Sequence, residues 1–184
     1  MAKAVLAIHG GAGTMRADMM TPDLAEAYHE GLRRALRSGW LVLAGNGSAL
    51  DAVTEAVSAL EDDPMFNAGR GAVFTASGKM EMDAAIMDGR DRKAGAVAGI
   101  CGPRNPVRAA RTVMETTPHL LMIGAGAEQV ARAAGLPFEA ETYFATESRR
   151  AALERELRRR ASGAPDTRSD ADRHGTVGAV ARDA

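Results

Sequence analysis

Residues 161–173, Ala-Ser-Gly-Ala-Pro-Asp-Thr-Arg-Ser-Asp-Ala-Asp-Arg, carry no aromatic or large aliphatic side chain, yet an apolar, uncharged run, Thr176-Val-Gly-Ala-Val-Ala181, follows almost at once. The first segment has the composition of a linker: it buries too little surface to offset the entropy of ordering it. The second reads as a strand, and a strand does not stand alone. Thr176 to Ala181 must therefore pair with a distant part of this chain or be flanked by further polypeptide. Because the sequence stops at Ala184, the expectation is truncation, with partner strands missing from one flank.

The rest of the chain is ordinary enough to form a core. It has 184 residues, 46% of them hydrophobic, which suits one globular domain. The 23 basic and 24 acidic residues leave a formal net charge of −1, so no overall field draws it to nucleic acid or an anionic membrane. The arginines between Arg149 and Arg160 are interrupted by Glu154 and Glu156, with no aromatic between them to stack on a base, and they read as a solvated helix. Cys101 is the single cysteine, which excludes an internal disulfide framework and makes the cytoplasm the expected compartment. The apolar run before Gly10 is too short for a signal peptide, and no later stretch approaches a membrane span.

Periodicity and turn residues predict a mixed, α+β organisation. Val5 to Ile8 reads as a buried strand. Thr21-Pro22 then supplies an N-cap and first helical residue for a helix to about Ala44, with Leu24, Tyr28, Leu32, Leu36 and Leu43 as its buried stripe. After Asn46-Gly47, Ser48-Ala-Leu-Asp51 opens a second helix with Leu50, Val53, Val57 and Leu60 on its apolar face. Three β-like runs follow, Ala72 to Thr75, Met80 to Met87 and Gly95 to Ile100. Ser77-Gly78 and Asp88-Gly89 separate them, predicting a small antiparallel meander. Pro106 starts a helix to about Thr117, Leu120 to Ile123 reads as a strand, and Ala127 to Ala134 as a short helix ended by Gly135. Strict βαβ alternation is absent, which argues against a doubly wound sheet.

The chemically suggestive point is Gly175-Thr176, where the linker meets the strand. Cleavage of that peptide bond would leave Thr176 as a new N-terminus, with its hydroxyl as nucleophile and its own α-amino group, of reference pKa about 8, as general base. Self-cleavage by the same hydroxyl is easier when the preceding residue lacks a side chain and tolerates strain, as Gly175 does. Gly-Thr before a β-like run is common, however, and in isolation reads as a linker entering a strand.

The remaining motifs decide between these readings. His9-Gly-Gly-Ala-Gly13, Ser48-Ala-Leu-Asp51, Pro64-Met-Phe-Asn-Ala-Gly-Arg-Gly-Ala-Val-Phe74, Met82-Asp-Ala-Ala-Ile-Met-Asp-Gly89, Ala94-Gly-Ala-Val-Ala98, Asn105-Pro-Val107 and His174-Gly-Thr-Val-Gly-Ala-Val180 occur in that order. The series resembles the plant-type L-asparaginases and isoaspartyl peptidases, a family of threonine N-terminal-nucleophile hydrolases. It covers residues 3 to 184 and is weakest from about Pro137 to Arg173.

The resemblance implies an αββα sandwich made as a precursor. Residues 1–175 would be the α subunit, with residues 161–175 as the flexible linker before the cleavage site, and residues 176–184 the truncated first strand of the β subunit. Cleaved αβ pairs would associate in twos. Thr176 is the implied nucleophile against L-asparagine and β-aspartyl dipeptides, Asn67 its neighbour, and Gly10 and Gly11 part of a loop approaching the cleavage site. Leu60, Glu61, Asp63, Phe66, Ala68 and Arg70 match a loop whose backbone carbonyls hold a structural sodium ion; without the resemblance, Glu61-Asp62-Asp63 reads as a solvated acidic turn. No cofactor is implied for catalysis.

Two competing motifs fail. His9-Gly-Gly-Ala-Gly13 has no Gly-Lys-Ser/Thr after it, and the chain has no Gly-x-Ser-x-Gly elbow. Gly124-Ala-Gly126 lacks the third glycine of a dinucleotide fingerprint and reads as helix packing. The four histidines, His9, His29, His119 and His174, are scattered without ligand spacing. The alternative that stays open is an inactive α-subunit fragment that binds a complementary β subunit.

Overall fold

The computed structural model describes residues 3–11, 20–165 and 176–184. The chain is mixed α+β, with helices packed on two small sheets. The first helix, α1 (Pro22–Ala44), begins where Thr21 turns its side chain back to accept the Leu24 N–H at 3.2 Å. Pro22 fills the first helical position, where a missing N–H costs nothing. The second, α2 (Ala49–Glu61), begins at Ser48, whose Oγ accepts the Asp51 N–H at 3.0 Å and donates to the Asp51 carboxylate at 2.7 Å.

The packing of these helices corrects the expected stripe. On α1 the fully buried row is Gly31, Ala35, Gly39 and Leu43. A Cβ at Gly39 would stand 2.7 Å from the Ala52 carbonyl oxygen and 3.0 Å from the Ala56 Cβ, so the two backbones lie almost in contact. Small residues every fourth position on both helices permit that approach. Of the expected stripe only Leu43 is buried, while Tyr28 and Leu32 are half-buried beside Phe66 and Leu36 is 41% exposed. Side-chain size is what misled, because the close face is made of residues with almost no side chain.

A hairpin of β2 (Met82–Met87) and β3 (Ala94–Ile100) forms the centre of the larger sheet, and β4 (Leu121–Ile123) adds to the other edge of β3 in parallel. The predicted three-strand antiparallel meander is thus replaced by one hairpin and one parallel strand. Residues 72–75 are extended without joining a ladder; their hydrogen bonds go to a local turn, Thr75 N–H to the Lys79 carbonyl and Gly78 N–H to the Thr75 carbonyl. Helix α3 (Pro106–Thr116) lies across β2 and β3. The contact is closest at Gly95, where a Cβ would fall 2.2 Å from the Ala110 carbonyl oxygen. Val97, Ile100, Val107, Ala110 and Val113 fill the space between.

Helix α4 (Gly124–Ala133) starts three residues earlier than expected, and Gly124 adopts φ +50 at its first turn. Nothing lies within 4 Å of a Cβ built at Gly124, so this tract answers a backbone need and not the close packing expected of it. A single turn, α5 (Glu141–Phe144), buries Phe144 against the core. The last helix, α6 (Glu147–Ala161), has no buried residue and is laced by Glu156 with Arg159 and Arg160. It takes in Ala161, so the expected linker starts one residue later, and most of it lies outside the described residues.

The smaller sheet joins the two ends of the chain. Strand β1 (Val5–His9) pairs antiparallel with β5 (Gly178–Arg182), Val5 opposite Arg182 and His9 opposite Gly178. Both strands are half-exposed instead of buried.

Candidate active site

A cavity of about 700 Å³ opens between β5, β2 and α2, with Val57, Asn67, Gly69, Met82, Thr176 and Gly178 among its walls. Thr176 is exposed at its margin, two residues before β5 begins. The backbone of the glycine tract reaches it: Gly11 has φ +131, and a Cβ there would lie 3.2 Å from the Thr176 carbonyl oxygen and 3.8 Å from its nitrogen. Any side chain would therefore be strained by its own backbone and pressed on Thr176. Gly10 serves a different contact, since its Cβ would strike the Phe66 ring at 2.7 Å and Leu32 at 3.0 Å. Gly175 and His174 lie outside the described residues.

Asn67 belongs to the segment that turns from the end of α2 back toward the cavity. Its side-chain oxygen accepts the Val73 N–H at 3.0 Å. Between Phe66 and Val73 the chain makes a tight turn at residues 69–71, which works only because two glycines are present. A Cβ at Gly69 would lie 2.3 Å from the Glu61 carbonyl oxygen, and one at Gly71 would lie 2.1 Å from that of Phe66 and 2.6 Å from that of Pro64. The carbonyls of Glu61, Pro64 and Phe66 thus crowd the Gly69 and Gly71 positions, forming a cradle that only glycine fits.

The acidic triplet in this loop is no solvated turn. Glu61 and Asp63 are 3% and 6% exposed. Each acid is held by a different element. The Glu61 carboxyl accepts the Val107 N–H at 2.9 Å, at the start of α3, and its other oxygen has no partner among the described residues. Burial pushes its pKa up to about 8, against the pull of the Val107 N–H. Asp62 accepts from Arg104 at 3.0 Å, Asn105 at 3.2 Å and the Tyr143 hydroxyl at 3.2 Å. Asp63 accepts from Arg34 of α1 at 2.5 Å and from the Met65 N–H at 3.0 Å.

The sequence reading named the loop but missed Arg34, Arg104 and Tyr143, which tie it to α1, to the segment just before α3 and to α5. No local pattern marks those residues, because their partners are distant in sequence. Thr176 and Asn67 line one cavity, with Glu61, Ala68 and Gly69 also in its wall, while Gly11 meets the Thr176 backbone.

The sequence has relatives among known proteins. Residues 2–184 match a protein family described as asparaginase. An isoaspartyl peptidase of Salmonella typhimurium is 48% identical over 190 residues, covering 100% of this chain and 59% of its own length. A plant-type L-asparaginase of Pyrococcus furiosus is 53% identical over 153 residues, 83% of this chain and 47% of its own. In Homo sapiens, an isoaspartyl peptidase/L-asparaginase is 43% identical over 179 residues, 97% of this chain and 56% of its own. The chain therefore spans about half the length of the curated relatives it matches. With a family match along nearly its whole length, the chain belongs to the asparaginase family.

Proposed function

We propose that this chain is the front part of an amidohydrolase precursor that cleaves itself before Thr176 and, with its β subunit, hydrolyses L-asparagine and β-aspartyl dipeptides. The observation that carries the proposal is the contact of Gly11 with the Thr176 backbone at a cavity whose wall also includes Asn67. That is the setting a nucleophile at a new N-terminus needs: an accessible hydroxyl, a close backbone and a neutral amide nearby.

In the first step the Thr176 hydroxyl adds to the Gly175 carbonyl, the peptide C–N bond breaks, and the acyl group passes from nitrogen to oxygen. Water then hydrolyses that ester, leaving Gly175 as a carboxylate and Thr176 with a free α-amino group. In the mature site this amine takes the proton from the Thr176 hydroxyl, which attacks the side-chain carbonyl of asparagine. The C–N bond breaks, ammonia leaves with a proton, and a β-aspartyl ester remains on Thr176. Water adds to that ester and releases aspartate. For a β-aspartyl dipeptide the leaving group is the amine of the second amino acid. Asn67, uncharged and oriented by Val73, suits a role of fixing the threonine without perturbing the pKa of its amine.

On this reading the β1–β5 ribbon is the start of a sheet in an αββα sandwich completed by β-subunit strands, and two αβ pairs assemble in the cytoplasm. The loop of Leu60, Glu61, Asp63, Phe66, Ala68 and Arg70 suits a sodium ion through backbone carbonyls. The glycine-lined cradle supports that fit, and hard cations favour such oxygens. The ion would stiffen the loop and take no part in the chemistry.

The test is intact-mass analysis of the purified gene product as its host makes it. Two fragments meeting at Gly175/Thr176 are expected, with ammonia released from asparagine. Thr176→Ala should abolish both. A folded protein that stays in one piece after prolonged incubation would sink the proposal.

A further inference from the structure

In the arm formed by α5 and α6, Phe144 of α5 is anchored in the core, but α6 has no such anchor. Helix α6 buries nothing, and most of its charges pair within the helix. Both helices nevertheless make contacts along one strip, residues 62–78. The Tyr143 hydroxyl donates to Asp62 at 3.2 Å, and its ring lies 5.4 Å from the guanidinium groups of both Arg70 and Arg104. Arg149 donates its Nε–H to the Gly71 carbonyl at 2.7 Å. The Arg150 guanidinium sits 5.5 Å from the Phe74 ring, and Leu153 reaches to 4.0 Å from the Cβ position of Gly78.

Arg149 is the unusual member. It is half-buried, burial pushes its pKa down, and among the described residues no carboxylate contributes to holding it charged. A desolvated guanidinium is expensive unless its donors are used. Its donor is spent on a backbone carbonyl two residues from Val73, whose N–H holds the Asn67 side chain. The path from Arg149 to Asn67 therefore runs through two hydrogen bonds and one short piece of backbone.

We infer that the arm of residues 141–161 is a positioning device for Asn67, in which Arg149 fixes the Gly71 carbonyl and so the Val73 N–H that orients the Asn67 amide. This rests on the reading that Asn67 works beside Thr176. Arg149 touches neither threonine nor substrate; it acts through the loop.

The test uses the gene product as its host makes it, with two readouts: hydrogen exchange at the Val73 amide, and the rate of cleavage before Thr176 by mass. Arg149→Met should raise Val73 exchange about tenfold and slow cleavage about tenfold, the loss of one oriented hydrogen bond in each case. Its thermal midpoint should stay near that of the unchanged protein. Arg149→Lys should restore part of both effects, because an ammonium still donates to a carbonyl but without the planar fork. Arg150→Ala should change neither appreciably. Should Arg149→Met not fold, Arg149→Gln, which keeps a donor, takes its place with the same expectations at reduced size.

Unchanged Val73 exchange overturns the inference whatever happens to cleavage. Raised exchange with cleavage at the ordinary rate overturns it too, since Asn67 would then need no such support. If the unsubstituted protein never cleaves, the reading of Thr176 fails, and Val73 exchange alone decides whether Arg149 positions Asn67.

Discussion

Strands β3 and β5 are built from the same vocabulary of Ala, Val and Gly, and they end in opposite surroundings. β3 has a hydrogen-bonded neighbour on each edge and α3 across one face, leaving Val97 and Ile100 buried. Among the described residues β5 has one neighbour, β1, and Val180 is 67% exposed. Composition made both look like interior strands. What separates them is whether the neighbours come from the same stretch of chain, and only the β3 region supplies its own.

The strongest way to break this comparison is to express residues 1–184 alone. A largely apolar strand with one edge unpaired among the described residues invites association, so the expected outcome is aggregation and no measurable release of ammonia from asparagine or a β-aspartyl dipeptide. Robust turnover by a soluble monomer would show that β5 needs no further neighbour. Val180→Lys, which charges the bare face, should raise the soluble fraction.

Next in size is a matched pair of glycine substitutions, compared by chemical denaturation of the gene product. At Gly95 a Cβ meets the Ala110 carbonyl oxygen at 2.2 Å and the Met114 nitrogen at 2.6 Å, so it can be relieved only by moving α3. Gly95→Ala should cost about 3 kcal/mol. At Gly178 the three atoms nearest the Cβ all belong to the His9 imidazole, the closest at 2.4 Å. That ring can turn away, and Gly178→Ala should cost under about 1 kcal/mol. Equal costs would mean that the two strands are equally confined.

A smaller contrast compares one methylene with one isostere. Ile100→Val, in the filled core, should cost about 1 kcal/mol, whereas Val180→Thr should stay within about 0.5 kcal/mol. The smallest effect belongs to the start of α2, between the two regions. Hydrogen bonding from Ser48 and then from Arg111 holds the Asp51 carboxyl below its ordinary value of 3.8. A depressed folded pKa gives stability that is present above the unfolded value and lost as pH falls through the folded one. Asp51 is partly exposed, so screening limits the effect: Asp51→Asn should cost about 0.5 kcal/mol at neutral pH, and the difference should vanish at strongly acidic pH.

Local chemistry was legible in the sequence where it is self-contained. Thr21-Pro22 and Ser48 begin helices because their caps lie within three residues, and Pro106 and Gly135 bound theirs for similar reasons. The face of α1 was not legible, because Gly31 and Gly39 carry no hydrophobic signal and act by letting α2 come close. Nor was the parallel attachment of β4, which depends on where α3 returns the chain. In the site, motif order singled out Thr176, Gly11 and Asn67, and the structure places Thr176 and Asn67 on one cavity wall. The ties that hold the acidic triplet run to Arg34, Arg104 and Tyr143, and no spacing rule relates residues so far apart.

The pairing of β1 with β5 sets one more condition on the molecule. It joins strands from opposite ends of the sequence, and while the chain is continuous the linker keeps them near each other whatever the protein concentration. If the bond before Thr176 is cut, the same ladder joins two polypeptides and its occupancy follows mass action. Dilution, immaterial to the uncut chain, then becomes a way to take the molecule apart.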